Sequence, residues 1–164
     1  MPIRPVRDAD APALADLLNE IIRRGGTTAW EEPFTPQALA GAMLTGPGVI
    51  CCCVAEDDEG GLMGFQSLLR SEGLPEGVGD IATFTRVGDT QRGTGSRLFA
   101  LTRRMAAERG LAAINATIRA DNTGGLAFYS RLGFADHGVS RAVPLRDGTP
   151  VDRISKRYAL RATA

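Results

Sequence analysis

Gln91-Arg92-Gly93-Thr94-Gly95-Ser96, followed by an amphipathic run over residues 97–109, decides how this chain is read. Residues 80–87 just ahead are strand-like, so the order is strand, glycine turn, helix. Backbone N–H groups at such a helix start have no intrahelical partner and carry the positive end of the helix dipole. Gly93 and Gly95 place no side chain between a phosphate and those amides. The turn therefore reads as a pyrophosphate cradle; the plainer alternative is a glycine pair that only turns the chain. Two nucleotide cofactors are excluded. A dinucleotide fingerprint needs a third small residue where Leu98 stands, and a P-loop needs Gly-Lys-Ser/Thr, whereas the one lysine is Lys156.

The bulk properties agree with a single soluble domain. The 164 residues fit one domain, 1–164, with a sizeable core. Nineteen basic residues balance nineteen acidic ones, so the charge gives no reason to expect nucleic acid or an anionic membrane as partner. No apolar stretch approaches the roughly 20 residues of a membrane span, and Met1-Pro2-Ile3-Arg4-Pro5 lacks the apolar core of a signal peptide. Cys51, Cys52 and Cys53 stand in a row, which matches no metal-ligand spacing or disulfide framework; inside the apolar run 49–55 they read as small packing groups. The expectation is a cytoplasmic domain that uses no metal.

Along the chain, residues 3–6 read as a first strand. A helix follows from about Pro12, capped by Asp8 or Asp10 and ended by Gly25-Gly26, with Leu14, Leu17, Leu18, Ile21 and Ile22 on one face. Thr35-Pro36 opens a second helix through Leu44. Residues 49–56 and 62–70 form a hairpin, and 111–118 is apolar enough for a buried central strand. Asp121-Asn122 starts a helix to Leu132, and 137–145 with 151–160 form a last hairpin turning at Asp147-Gly148. The fold class is α/β, a single domain with a mixed sheet flanked by helices.

About thirty residues beyond the cradle lies Asn122-Thr123-Gly124-Gly125-Leu126-Ala127-Phe128-Tyr129-Ser130-Arg131-Leu132-Gly133-Phe134. Asn122 and Tyr129 are seven apart, two helical turns, and share a face. Alone this would be a helix cap and a core aromatic. The two motifs in this order resemble the GNAT acetyltransferase superfamily over residues 3–160. The resemblance implies the acyl-CoA N-acyltransferase fold, mainly antiparallel, with acetyl-CoA as cosubstrate. It places the pyrophosphate at Gln91, Arg92, Gly93, Thr94, Gly95 and Ser96, with Asn122 near the pantetheine arm and Tyr129 near the thioester sulfur. One departure is Thr90, where the family usually has Gln or Arg. The stretch Thr27-Thr28-Ala29-Trp30-Glu31-Glu32-Pro33-Phe34-Thr35-Pro36 looks like the same region of the phosphinothricin acetyltransferase-like branch, whose members acetylate the α-amino group of small amino acids or analogues. Trp30 and Glu32 are the substrate-binding candidates; alternatively Trp30 and Phe34 staple the first helices to the sheet. Similar proteins are commonly dimers, and the sequence leaves a homodimer open.

The chemistry implied is acetyl transfer to a primary amine, which requires a base for the ammonium, donors for the thioester oxygen and an acid for the thiol. Asp80 is the first candidate base, because this superfamily often carries the base on the strand leading to the cradle; Glu31 and Glu32 come next. Main-chain groups of residues 81–87, with Thr85 and Val87 as contacts, hold the pantetheine and thioester if that strand splays from its neighbour. Tyr129 protonates the thiolate; phenol and thiol acidities differ by only about one to two pKa units. No cysteine has a neighbouring histidine, so direct attack needs no acyl-enzyme. His137, the one histidine, reads as a surface or hairpin residue. An arginine beyond the sulfur would favour a carboxylate-bearing acceptor, and strand placement nominates Arg70, Arg86 and Arg141. The alternatives are a protein or peptide N-acetyltransferase and a non-catalytic acyl-CoA-binding module.

Overall fold

Apolar periodicity and glycine stops account for most elements of the chain, whose computed structural model describes residues 1–88 and 93–161. In α1 (Ala11–Arg24) the buried Leu14, Leu17, Leu18 and Ile22 form one stripe, and Gly25 ends it at φ +68°. Asp10 does not cap this helix. Its carboxylate instead receives Arg4 Nη1 at 2.8 Å and Nη2 at 2.9 Å, and the Arg7 N–H at 2.8 Å. The expected second helix is divided: Thr35 caps α2 (Pro36–Leu39) through the Ala38 N–H, and Ala40–Leu44 then widens into a π turn. Close packing there has a visible cause, since a Cβ on Gly46 would lie 1.8 Å from the Gly41 carbonyl oxygen.

The strands are β1 (Ile3–Pro5), β2 (Val49–Glu56), β3 (Leu62–Leu69), β4 (Val78–Thr85), β5 (Ala113–Arg119), β6 (Ala135–Pro144) and β7 (Pro150–Ala159), with α3 (Thr94–Glu108) after β4 and α4 (Thr123–Leu132) after β5. They form one sheet in the order β1-β2-β3-β4-β5-β7-β6. Every pairing is antiparallel except β4 with β5. That parallel pair joins Val78–Ile81 to Ala113–Ala116 and then stops. Beyond it β4 stays with β3 as far as Thr85, and β5 stays with β7 as far as Arg119. The sheet thus opens into a wedge in its middle, towards the carboxyl ends of β4 and β5.

Two cores flank the sheet. Against α1 and α2 pack Leu39, Met43, Phe65 and Phe84; against α3 and α4 pack Phe99, Ile114, Ile118, Tyr129 and Phe134. The cysteines belong to this packing, and all three are buried free thiols. His137 is exposed on β6. Among the described residues no helix is long and apolar enough to cross a membrane.

Candidate active site

The wedge is lined by main chain on its β4 side. The Arg86 N–H bonds the Met63 carbonyl of β3 at 2.8 Å, so by strand alternation the main-chain groups of Thr83 and Thr85 face away from β3, into the gap. Side chains alternate across the same strand. Ala82 and Phe84 join the core under α1, whereas Ile81 joins the core under α3 and α4, where Thr83 reaches Tyr129. Val87 follows in the turn after β4, half-buried.

On the α1 face, three adjacent strands place Asp80, Asn115 and Arg157 in one row. Asn115 is 2% exposed, and its amide is fully engaged: Nδ2 donates to Asp80 Oδ1 (3.0 Å) and Thr117 Oγ1 (3.1 Å), while Oδ1 accepts from Ser155 Oγ and Arg157 Nε, both at 2.7 Å. Burial pushes the Asp80 carboxyl above its ordinary range, against the Asn115 hydrogen bond and the charge of Arg157. On the other face Tyr129 is buried in a group of rings, with Phe128 and Phe134 at centroid distances of 4.9 and 5.1 Å. Its hydroxyl lies 2.9 Å from Thr83 Oγ1, which also receives Gln66 Nε2 at 2.9 Å. Burial first, then the charge of Asp80, pushes the Tyr129 phenol up to about 12, with the Thr83 hydrogen bond opposing. The phenol therefore keeps its proton at any physiological pH, and the same burial makes it a weaker acid than a free phenol.

Both helices that follow the splayed strands begin at the open end. In α3, Gly93 sits in the left-handed region at φ +68°, and the first intrahelical bond runs from the Arg97 N–H to Gly93 O at 3.0 Å. The amides of Gly95 and Ser96 thus precede the helical ladder and suit an anion. Gly95 has a further reason to lack a side chain: a Cβ there would lie 2.7 Å from Phe128 Cε1. Thr94 is buried at the same turn, its hydroxyl 3.6 Å from Met1 Sδ. Gln91 and Arg92, like Thr90, lie outside the described residues. In α4, Asn122 is the cap, accepting the Gly125 N–H at 3.0 Å and donating to Thr27 O at 2.9 Å.

That last bond fastens the loop after α1 to this end of the sheet. Arg119, 8% exposed, donates to Thr28 O at 3.1 Å. Asn19 grips Phe34 at both its N–H and its carbonyl, and Trp30 meets Phe34 edge-on at 5.4 Å. The two loop carboxylates are held at the last hairpin: Glu31 accepts the Arg146 N–H at 2.9 Å, and Glu32 pairs with the Arg146 guanidinium. Trp30, Glu32, Phe34, Ala38 and Arg146 line a recess of about 580 Å³. Asp80 thus lies on the α1 face in the last paired stretch of β4, Tyr129 lies on the other face with its hydroxyl on Thr83, and Glu31 is drawn to the hairpin. The three nominated arginines are also engaged elsewhere, Arg70 at Pro47 O, Arg86 at Leu62 O and Arg141 at Asp152. Arg157, Asn115, Thr83 and Gln66 were missed; the signal available was a polar residue inside each of the apolar runs 62–70 and 111–118.

Residues 13–134 match the Acetyltransferase (GNAT) family. The chain belongs to that family. As a GNAT enzyme it is an acetyl-CoA-dependent N-acetyltransferase, with acetyl-CoA as cosubstrate. Solved structures share the GNAT fold. The yncA protein of Salmonella typhimurium, solved with its cofactor acetyl-CoA, is 17% identical at a TM-score of 0.84, covering 100% of this chain and 96% of its own. A GNAT superfamily phosphinothricin acetyltransferase from Sinorhizobium meliloti, in complex with acetyl-CoA, is 20% identical at 0.84, covering 96% and 87%. A ribosomal-protein-alanine N-acetyltransferase from Brucella melitensis is 21% identical at 0.81, covering 97% and 99%. No curated protein matches the chain in sequence.

Proposed function

We propose that this enzyme acetylates the primary amine of a small molecule that also carries a carboxylate, an amino acid or analogue, by direct attack on the thioester. The observation that carries the reading is the placement of Asp80 and Tyr129 on opposite faces of the sheet, Asp80 on the last paired residues of β4 before it parts from β5 and Tyr129 on Thr83 just beyond. Bound acetyl-CoA supplies the acetyl thioester. The residues present fit it: the amides of Gly95 and Ser96 meet the pyrophosphate, and the main chain of Thr83 and Thr85 meets the pantetheine arm and thioester oxygen. Asp80 takes a proton from the acceptor's ammonium, freeing the amine to attack, and its raised pKa suits a base that must also release that proton. Tyr129 gives a proton to the departing sulfur. Asn122 serves by joining the start of α4 to Thr27, which holds the loop after α1 against that helix end.

A covalent acetyl-cysteine finds no support, since burial raises the Cys52 thiol to about 12 and the Cys53 thiol to about 11. Arg157 supports the carboxylate. Its Nε is fixed on Asn115 beside Asp80, and neither Nη has a partner among the described residues. An α-amino acid presents its amine and carboxylate close together, as this row presents a base and a guanidinium. The loop after α1, pinned to the sheet end through Arg119 and Asn122, favours a small acceptor over an extended peptide.

The test is thiol release from acetyl-CoA over a panel including methionine sulfone, methionine sulfoximine and phosphinothricin, each beside its decarboxylated amine. Acetylation of the amino acids but not the amines is expected, and Arg157→Leu should raise KM for the amino acids by about 10- to 100-fold. Silence across the panel from folded protein that binds acetyl-CoA would leave the binding-module reading.

A further inference from the structure

We infer that Thr83, held by Gln66, is a positioning residue that aims the Tyr129 hydroxyl proton into the gap. The inference rests on Tyr129 being the acid. Gln66 is fully buried on β3 directly opposite Thr83. Its Nε2 has only protons to give, so Thr83 Oγ1 accepts at 2.9 Å. The single hydroxyl proton of Thr83 then has Tyr129 Oη, also at 2.9 Å, as its acceptor. With that oxygen accepting, the phenolic proton must point elsewhere. The rings of Phe128 and Phe134 flank the phenol and offer it no oxygen or nitrogen, and Asp80, the one charged group acting on it among the described residues, lies across the sheet. The direction left is the one that the Thr83 main chain faces, and we take it to be the wedge.

The orientation of the Gln66 amide sets this polarity. Its Oε1 is the one buried side-chain polar atom without a partner among the described residues. Turned over, that oxygen would take the Thr83 proton, Thr83 would accept from Tyr129, and the acid would be locked away from sulfur. During transfer the C–S electron pair goes to sulfur and the Tyr129 proton follows it. Thr83 keeps its own proton, donates a hydrogen bond to the phenolate, and water returns the missing proton to Tyr129.

A fluorine titration tests this without an acceptor. The chain has two tyrosines, Tyr129 and Tyr158, so 3-fluorotyrosine labelling gives two signals, separated by Tyr158→Phe. Thr83→Val should raise the ionisation midpoint of residue 129 by about one unit, and Thr83→Ser should restore it. A midpoint left unmoved by Thr83→Val in protein with wild-type circular dichroism overturns the proposal. A double-mutant cycle reads the same coupling in turnover of methionine sulfone. Thr83→Val should cost about tenfold in the wild-type background and nothing further in Tyr129→Phe. A full Thr83→Val loss in Tyr129→Phe contradicts it while leaving the acid in place. Wild-type turnover by Tyr129→Phe removes the acid, and the proposal with it.

Discussion

At Asp80 the interests of stability and activity diverge. Its folded pKa lies above the ordinary 3.8 because burial disfavours the carboxylate, so the fold prefers the protonated form and ionisation near neutrality works against folding. Asp80→Asn removes that charge and keeps an oxygen for the Asn115 amide. We expect its Tm, followed by circular dichroism at pH 7, to equal or exceed the wild-type value, while turnover falls by about 100-fold or more. Tyr129→Phe should show a similar loss of turnover with acetyl-CoA affinity, measured by calorimetry, unchanged. Tyr129 could be nominated from sequence because its helix ends in a Gly-Phe signature. The arginine beside the base was not: Arg157 meets Asp80 through two strand pairings, from residues 77 positions apart in the chain. Position along a strand gave Arg70, Arg86 and Arg141 equal standing, and only the pairings tell them apart.

The elements carry their own dependencies. Gly95 was read as clearance for a phosphate, and it is equally clearance for Phe128, whose ring packs on Tyr129 at 4.9 Å. Gly95→Ala should lower Tm by roughly 2–6 °C despite the better helix propensity of alanine, and lower turnover as well. Shortening the ring in Gly95→Ala with Phe128→Leu should return most of the Tm. β1 depends on Arg4, which joins the buried Asp10 to Glu56 of β2. Arg4→Leu strands that carboxylate and should cost about 3 kcal/mol in urea unfolding at pH 7. Because the Arg4 hydrogen bond depresses the Asp10 pKa, this stabilisation is present above the ordinary 3.8 and lost as pH falls through the lower folded value. The deficit of the variant should therefore shrink in acid. Strands and helices were visible in local pattern to within a few residues. The π turn and the role of Asp10 were not, since each depends on a partner outside its own segment.

For the whole molecule, one interrupted parallel pairing makes the site. A continuous β4–β5 ladder would close the wedge and bury the main chain that faces it. The sequence implied a mixed sheet; that β4 and β5 pair over four residues and part is a property of their packing against β3 and β7. The pH profile of kcat/KM should reflect the two walls. As the proposed base Asp80 must be ionised, so activity should fall as pH drops through its raised value, at higher pH than an ordinary aspartate would give. Tyr129, the proposed acid, is pushed up to about 12 by burial and should impose no alkaline limb below about pH 10. The most direct test of transfer across the wedge is steady-state thiol release from acetyl-CoA with methionine sulfone, comparing wild type with Asp80→Asn. The account predicts turnover in the wild type and a loss of about 100-fold or more in the variant, with acetyl-CoA binding retained. Equal turnover in the two proteins would contradict it.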